Sequence, residues 1–332
     1  MKIQVLATNN CMVSAVYGLL DVFYAANFCL NNRYQGKQTS HIDCQIVTIN
    51  NQPVVGYNGI SVAPTAQISS SDYPDIVIVS STVGVAVSGC GGDIDVPDQA
   101  KINHWLNQCH QRQTLVASYC TGSFVLASAG LLKNKVATTH WRSAGLFSQL
   151  FPYVKLSSDK MIVDNGDIVC SAGSMSYIDL ALHLTERFYT RELASDCAKL
   201  MVFDPVREKQ SPYVSFRGQK NHDDQAILSA QEWLESHYTE NIVIEQLADL
   251  VKLTPRTFKR RFKQATGENA ISYLQRIRVE HVKDKLEHTT NSINNIIWSV
   301  GYEDISSFRQ LFKRFTGLTP KDYRQKFTSS VE

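Results

Sequence analysis

The chain has 332 residues, 43% of them apolar and 19% charged, with 33 Lys and Arg against 31 Asp and Glu. That length predicts two domains, each able to bury a core, and the composition is that of an ordinary globular protein. A formal charge of +2 excludes a protein that coats nucleic acid uniformly, though not one that reads it locally. No run approaches the ~20 apolar residues of a membrane span, and the opening MKIQVLATNN has one lysine and no extended hydrophobic region, so a cytoplasmic protein without a membrane partner is expected. Eight cysteines (Cys11, Cys29, Cys44, Cys90, Cys109, Cys120, Cys170 and Cys197) form no C-x-x-C pair and no Cys/His metal spacing. Free, mostly buried thiols are expected, with no metal and no cofactor.

From the start of the chain, the pattern predicts a strand over 3–7 and a helix over 13–29 carrying Leu19, Leu20, Val22 and Phe23. Strands follow over 42–49 and 76–80, a helix over 99–111, a strand over 115–118 and a helix over 121–131. This alternation implies an α/β domain, a parallel sheet covered by helices on both faces in a flavodoxin-like sandwich. Ligands of such sheets collect beyond the carboxyl ends of the strands, which here means the loops after Ala7, Ser80 and Ser118.

The third loop, LVASYCTGSFVLASAGLL, sets Cys120 between an apolar strand and a helix opening Thr121-Gly122-Ser123. A residue at such an elbow is exposed over the sheet, and a helix N-terminus lowers a thiol pKa. ATTHWR, twenty residues on, supplies His140, and the glycine-rich GVAVSGCGG offers backbone N–H groups to an anion. Two readings of Cys120 stand side by side: a reactive or ligand-contacting thiol, and a small residue accommodated at a tight turn. His140 and Trp141 are as well suited to a core as to a pocket wall.

On SYCTGSFVLASAGLL and ATTHWR, residues 1 to about 191 resemble the class I glutamine-amidotransferase-like (PfpI-type) fold. The resemblance implies that an active member carries a glutamate on the first helix, over the cysteine. By count that place falls near Ser14, and no acid lies between Met1 and Asp21. Binding is therefore expected rather than catalysis. The effector-pocket candidates are Ser14, Ser81, Cys120, Thr121 and His140, and no residue is assigned a catalytic role.

Helices are predicted over 174–189 and 192–202 from their amphipathic pattern, and a homodimer through the first domain or these helices is expected, since two-fold partners double the contact with a shared target without new chemistry. The expected domains are 1–203 for ligand sensing and dimerisation, a linker over 204–222 with two prolines and a glycine, and a second domain over 223–327 whose pattern is different.

The last part repeats itself. IEQLADLVKLTPRTFKRRFKQATG returns as INNIIWSVGYEDISSFRQLFKRFTG, with Phe258, Phe262, Thr266 and Gly267 recurring 50 residues on as Phe308, Phe312, Thr316 and Gly317. Each copy is a short amphipathic helix, a turn and a second helix, the signature of helix-turn-helix in an all-α domain. A helix over 269–288 joins the copies, roughly 30 Å at ~1.5 Å per residue, close to one ~34 Å turn of DNA. Residues 223–327 hold 16 basic against 14 acidic side chains, so clustering rather than net charge points to DNA. The candidates are Arg256, Thr257, Lys259, Arg260, Arg261 and Lys263 in the first copy, and Ser306, Ser307, Arg309 and Lys313 in the second.

LADLVKLTPRTFKRRFKQATG, RIRVEHVKDKL and VGYEDISSFRQLFKRFTGLTPKDYR, in that order, resemble the AraC/XylS family of transcription regulators. Against the family pattern, Ile297 stands where alanine is usual and Lys252 where the first turn often has glycine. The two resemblances together imply a sequence-specific regulator of transcription that binds double-stranded operator DNA and responds to a small effector, an amino acid or other nitrogenous metabolite. A rival reading is a cysteine-dependent hydrolase or amidase with an accessory DNA-binding domain; a third is an all-helical interaction module whose basic helix is only a solvated face.

Overall fold

In the computed structural model, residues 1–33, 41–69, 71–82, 98–204, 207–218 and 220–328 are described, and the chain divides into two compact units, 1–210 and 211–332. The loop GVAVSGCGG, with Cys90, lies outside the described residues.

The first unit runs β1 (Lys2–Leu6), α1 (Val13–Arg33), β2 (Asp43–Val47), β3 (Val54–Val55), β4 (Ser61–Val62), β5 (Ile76–Val79), α2 (Gln99–Gln111), β6 (Leu115–Tyr119), α3 (Gly122–Ser128), β7 (Val136–Ala137), α4 (Ala144–Leu150), β8 (Lys155–Leu156), β9 (Ile162–Asp164), β10 (Ile168–Ser171), α5 (Ser176–Phe188) and α6 (Arg191–Leu200). Six strands form one sheet in the order β2-β1-β5-β6-β10-β9, parallel except for β9, which pairs antiparallel with β10 at the edge. Alternate residues of each strand face opposite layers. Ile3, Val5, Ile76, Ile78 and Ala117 pack with Val16, Leu19 and Phe23 of α1 and Leu180 and Leu184 of α5. Leu6, Val77, Val79 and Val116 pack with Trp105 and Leu106 of α2, Phe124 of α3 and Phe147 of α4. Strands buried on both faces must be apolar throughout, which is why IVIV of β5 is legible as a strand without any alternation.

β9 and β10 are additions to the sequence reading. They are short, three and four residues, and β9 is an edge strand ending in Asp164, so neither carries a long apolar run. α1 is longer than expected: an 18-residue stretch within its 21 residues has mean hydropathy 1.5, so the helix is long and apolar enough to cross a membrane by length and composition. Here its buried side chains cover the sheet.

The second unit is helical: α7 (Gln225–Ser236), α8 (Ile244–Leu250), α9 (Pro255–Thr266), α10 (Ala270–His288), α11 (Ile293–Trp298), α12 (Ile305–Thr316) and α13 (Pro320–Phe327). It has two cores. Phe258 and Phe262 of α9 join Leu247, Tyr273, Leu274 and Ile277 in one; Phe308 and Phe312 of α12 join Val279, Val282, Leu286, Ile297 and Tyr323 in the other. One helix, α10, therefore serves both, its first half in one core and its second half in the next.

The stretch read as a linker, 204–222, is tied down at both ends of its described part. The Arg207 guanidinium pairs with Asp179 at 2.6 Å, and the Gln210 side chain is buried in the first unit. Phe216 lies edge-on to Tyr273 at 5.1 Å in the second.

Candidate effector cavity and DNA-reading helices

The elbow after β6 is built by close approach. Cys120 has φ 55, a left-handed conformation that few non-glycine residues adopt, and its N–H donates to the Ser171 carbonyl at 2.8 Å. A Cβ at Gly122 would stand 2.6 Å from the Val79 carbonyl oxygen, so only glycine lets α3 start so near β5. Thr121 pins the neighbouring loop: its hydroxyl accepts from the Thr82 N–H at 3.0 Å and donates to the Thr82 carbonyl at 2.9 Å.

Over this elbow lies a cavity of about 430 Å³ lined by Met12, Tyr57, Ser81, Thr82, Cys120, Thr121, His140, Arg142, Ser143 and Ser174. The loops after β1, β5, β6 and β10 meet there, at the carboxyl ends of their strands. Ser81, Cys120, Thr121 and His140 are thus brought together. Ser14 is not among the lining residues; between buried Val13 and Ala15 in the first turn of α1, it points outward and is exposed. Sequence reasoning missed Tyr57 and Arg142. Tyr57 comes from the turn between β3 and β4, two-residue strands too short to signal. Arg142 closes the ATTHWR motif two residues after His140 and is a cation beside the histidine already in the sequence.

Burial shifts both the thiol and the imidazole that line the cavity. Burial pushes the Cys120 thiol up to about 11, against the opposing pull of the Thr121 N–H, so the thiol is protonated at neutral pH. The start of α3 does not win, because desolvation of a thiolate that is 7% exposed outweighs a single amide dipole. Burial, and then the Arg142 charge, lower the His140 pKa, which leaves the ring neutral. Its Nδ1 accepts from the Arg142 N–H at 3.2 Å, so the proton sits on Nε2. Among the described lining residues there is no carboxylate, and among the described residues Arg142 makes no ion pair. Among the described residues no cluster suited to a metal occurs, and the seven described cysteines are free.

In the second unit, Thr254 caps α9, accepting from the Thr257 N–H, with Pro255 in the first turn and Gly267 closing the helix at φ 79. Phe258, Phe262 and Thr266 face the core, while Arg256, Lys259, Arg260 and Lys263 are exposed on the rest of the circumference. Thr257 is half-buried, its hydroxyl 3.0 Å from that of Thr254. Arg261 is placed otherwise than its charge suggests. Its Nε and Nη2 donate to Asp224 at 2.8 and 2.6 Å, and Asp224 also caps α7 by accepting from the Ile227 N–H. The signal was in the repeat: the matching residue of α12 is Leu311, which is buried.

On α12, Ser306, Arg309, Gln310, Lys313 and Arg314 are exposed. Ser307 is spent on the cap, its hydroxyl donating to Asp304 at 2.7 Å. Gln310, absent from the sequence reading, stands where α9 has Arg260.

Residues 14–187 match the DJ-1/PfpI family, and residues 247–326 match a helix-turn-helix domain family. The chain belongs to the DJ-1/PfpI family. Its carboxy-terminal domain is of AraC type, and the pair of modules is that of a DNA-binding transcription regulator. Similar proteins include the HTH-type transcriptional regulator GbdR of Pseudomonas aeruginosa, 25% identical over 283 residues, 84% of this chain and 74% of that one. The HTH-type transcriptional regulator GlxA of Rhizobium meliloti is 25% identical over 73% of this chain and 75% of its own length. The crystal structure of an AraC family transcriptional regulator from Pseudomonas putida covers 60% of this chain and 98% of its own, at a TM-score of 0.50 and 15% identity, a likeness of fold. The elbow cysteine and cavity of this DJ-1/PfpI chain thus sit in a domain joined to a DNA reader.

Proposed function

We propose that the chain regulates transcription from specific operators in the cytoplasm, as a homodimer, and that its DNA affinity answers to a small carboxylate-bearing metabolite, an amino acid or related nitrogenous compound, held over Cys120. The observation that carries the DNA half is the pair of matched helices, α9 and α12, each burying phenylalanines and exposing cations, joined by the 19-residue α10. Nineteen residues span roughly 28 Å at ~1.5 Å each, near one turn of B-DNA. The test is selection of duplexes from random-sequence DNA by the full-length chain. Recovery of no preferred sequence rejects the reading.

The effector class is supported by Arg142, which has no ion pair among the described residues, the hydroxyls of Ser81, Thr82, Tyr57 and Ser174, and the absence of an acid among the described lining residues. A protonated thiol and a neutral imidazole with no carboxylate to move their protons support inactivity of the domain as a catalyst. Tyr17, Tyr24 and Phe28, exposed along one stripe of α1, support self-association, which light scattering on the full-length chain checks.

Binding can change DNA affinity only through differential affinity for two conformations, for which about 1–3 kcal/mol is the ordinary range. Cys120→Ala should change the response to small carboxylates and leave effector-free DNA binding intact. The hydrolase reading draws on one observation, the strained elbow at Cys120. Amide turnover at enzyme-like rates, abolished by Cys120→Ala, would establish it.

A further inference from the structure

The last residue of the first unit is bonded to both neighbours of a cavity residue. Gln210 is 2% exposed and uses its whole amide. Its Oε1 accepts from the Trp141 N–H at 3.0 Å, and its Nε2 donates to the Thr139 carbonyl at 3.0 Å and the Ser158 carbonyl at 2.8 Å. Between Thr139 and Trp141 lies His140, which lines the cavity, followed by Arg142, which also lines it. The Thr139 hydroxyl donates to the carbonyl of Cys120 itself, at 3.2 Å. The backbone around Gln210 is held as well: its N–H donates to the Asp159 carbonyl at 2.8 Å, and the Met161 N–H donates to the Glu208 carbonyl at 3.0 Å.

The chain then passes at once into the second unit. Ser211 opens it, Tyr213 lies edge-on to Phe327 at 5.5 Å, and the Val214 carbonyl accepts from Lys283 of α10. Here a residue fixed to the cavity wall is followed within four residues by contacts to the helix that serves both DNA-reading cores.

We propose that Gln210 is the positioning residue that links the elbow cavity to the entry of the chain into the DNA-binding unit. A ligand that draws Arg142 or His140 inward moves 139–141, and because Gln210 bonds to that segment on both sides it moves with it or releases it. Either event changes where residue 211 starts. The proposal rests, for its biological use, on the reading of the cavity as an effector site. A buried glutamine with every hydrogen-bonding group satisfied transmits displacement in this way because no looser arrangement nearby keeps its partners paired.

Linkage is reciprocal, so DNA must act on the cavity if the cavity acts on DNA, and the test needs no effector. The full-length chain is given a duplex that it has selected from random-sequence DNA, and amide hydrogen exchange is followed over 138–143 with and without that duplex. In the wild type, DNA should change the exchange rate of this segment by threefold or more. In Gln210→Ala the Trp141 amide should exchange faster, the DNA-dependent difference should vanish, and the Kd for the duplex should stay within about threefold. Gln210→Met keeps most of the side-chain volume and loses the acceptor and both donors without burying a charge, and serves if the alanine variant does not fold. It should show the same faster exchange at Trp141 and the same loss of the DNA-dependent difference.

A purely structural role would speed exchange equally in both states, and that result overturns the proposal, as does a wild-type segment indifferent to bound DNA. If the segment answers to DNA while glycine and glutamate bind neither wild type nor Cys120→Ala, the link stands and the amino-acid effector reading falls. A chain that selects no duplex removes the regulator reading and the link together.

Discussion

The two helix-turn-helix units are nearly superimposable in their internal chemistry and differ in what they show to solvent. Phe262 meets Tyr273 edge-on at 5.5 Å in the first, and Phe312 meets Tyr323 edge-on at 5.5 Å in the second. The Thr266 hydroxyl donates to Phe262 at 2.7 Å, and the Thr316 hydroxyl to Phe312 at 2.8 Å. Each tyrosine hydroxyl then reaches a glutamate, Glu235 or Glu287. The buried residues that recur at a spacing of 50, Phe258, Phe262, Thr266 and Tyr273 with their counterparts, are therefore framework, while Lys263 and Lys313 recur on the exposed side. The unshared ones separate the units: Arg260 against Gln310, Arg261 against Leu311, and Lys252 against Gly301. The first unit exposes a continuous cationic face, while the second mixes serine, glutamine and cations, which suits one to phosphates and guanine edges and the other to a broader set of base edges.

The largest effect is expected at the turns. Gly301 has φ 79, and a Cβ there would fall on the Thr239 carbonyl, so Gly301→Ala should cost about 3 kcal/mol or more and loosen α11 and α12 first. Urea unfolding with hydrogen exchange at those helices reads it; a loss below 1 kcal/mol would mean that the close approach is not required. Next in size is the cost at a base edge. Alanine at Arg256 or Arg260 should lose about 1–3 kcal/mol if the residue reads a base, with specificity relaxed at one position, or weaken all duplexes alike if it holds a phosphate. In the second case the logarithmic salt slope should fall by ~0.9 per contact. Arg261→Ala should leave that slope unchanged while weakening the tie between α7 and α9, which separates the paired arginine from the exposed Arg256 and Arg260 in a single salt titration.

A smaller effect, of opposite sign, is expected at Lys252, which holds φ 55 where the second copy has glycine. Lys252→Gly should stabilise the first unit by about 1 kcal/mol, since a left-handed conformation costs a side chain about 1–2 kcal/mol and glycine returns part of that as unfolded-state entropy. The smallest difference is in acid. The hydrogen bonds from Arg261 hold the Asp224 carboxyl below its usual value, so this contribution is present above the ordinary Asp range and lost as pH falls through the depressed value. Protection of α7 and α9 should therefore decline below about pH 4, and Asp224→Asn should remove that dependence.

How much of this was legible depended on period and repeat. The apolar runs of β5 and β6, the 3.6-residue pattern of α10, and the caps Thr254 and Gly267 are local signals, and each element stands within a few residues of its expected place. The elbow at Cys120 was legible because Gly122 and its apolar flanks occur together in sequence. The roles of single side chains were not. Arg261 reads as one more cation until the fold brings Asp224 beside it, and Ser307 reads as a base contact until Asp304 turns back to take its hydroxyl.

By itself the sequence determined that two modules exist, that one is a parallel sheet with a cysteine at a strand-to-helix elbow, and that the other reads DNA through a duplicated unit. Periodicity, caps and the spacing of 50 are properties of neighbours along the chain, and they need no knowledge of what lies across the fold. Only the tertiary structure decided that the elbow thiol stays protonated, that Arg142 and Tyr57 join His140 around it while Ser14 turns away, and that Gln210 is bound to both sides of His140. Burial and hydrogen bonding between residues 69 and 71 positions apart set those outcomes. Desolvation and partner choice depend on which groups the closed core leaves within reach, and no local pattern encodes that.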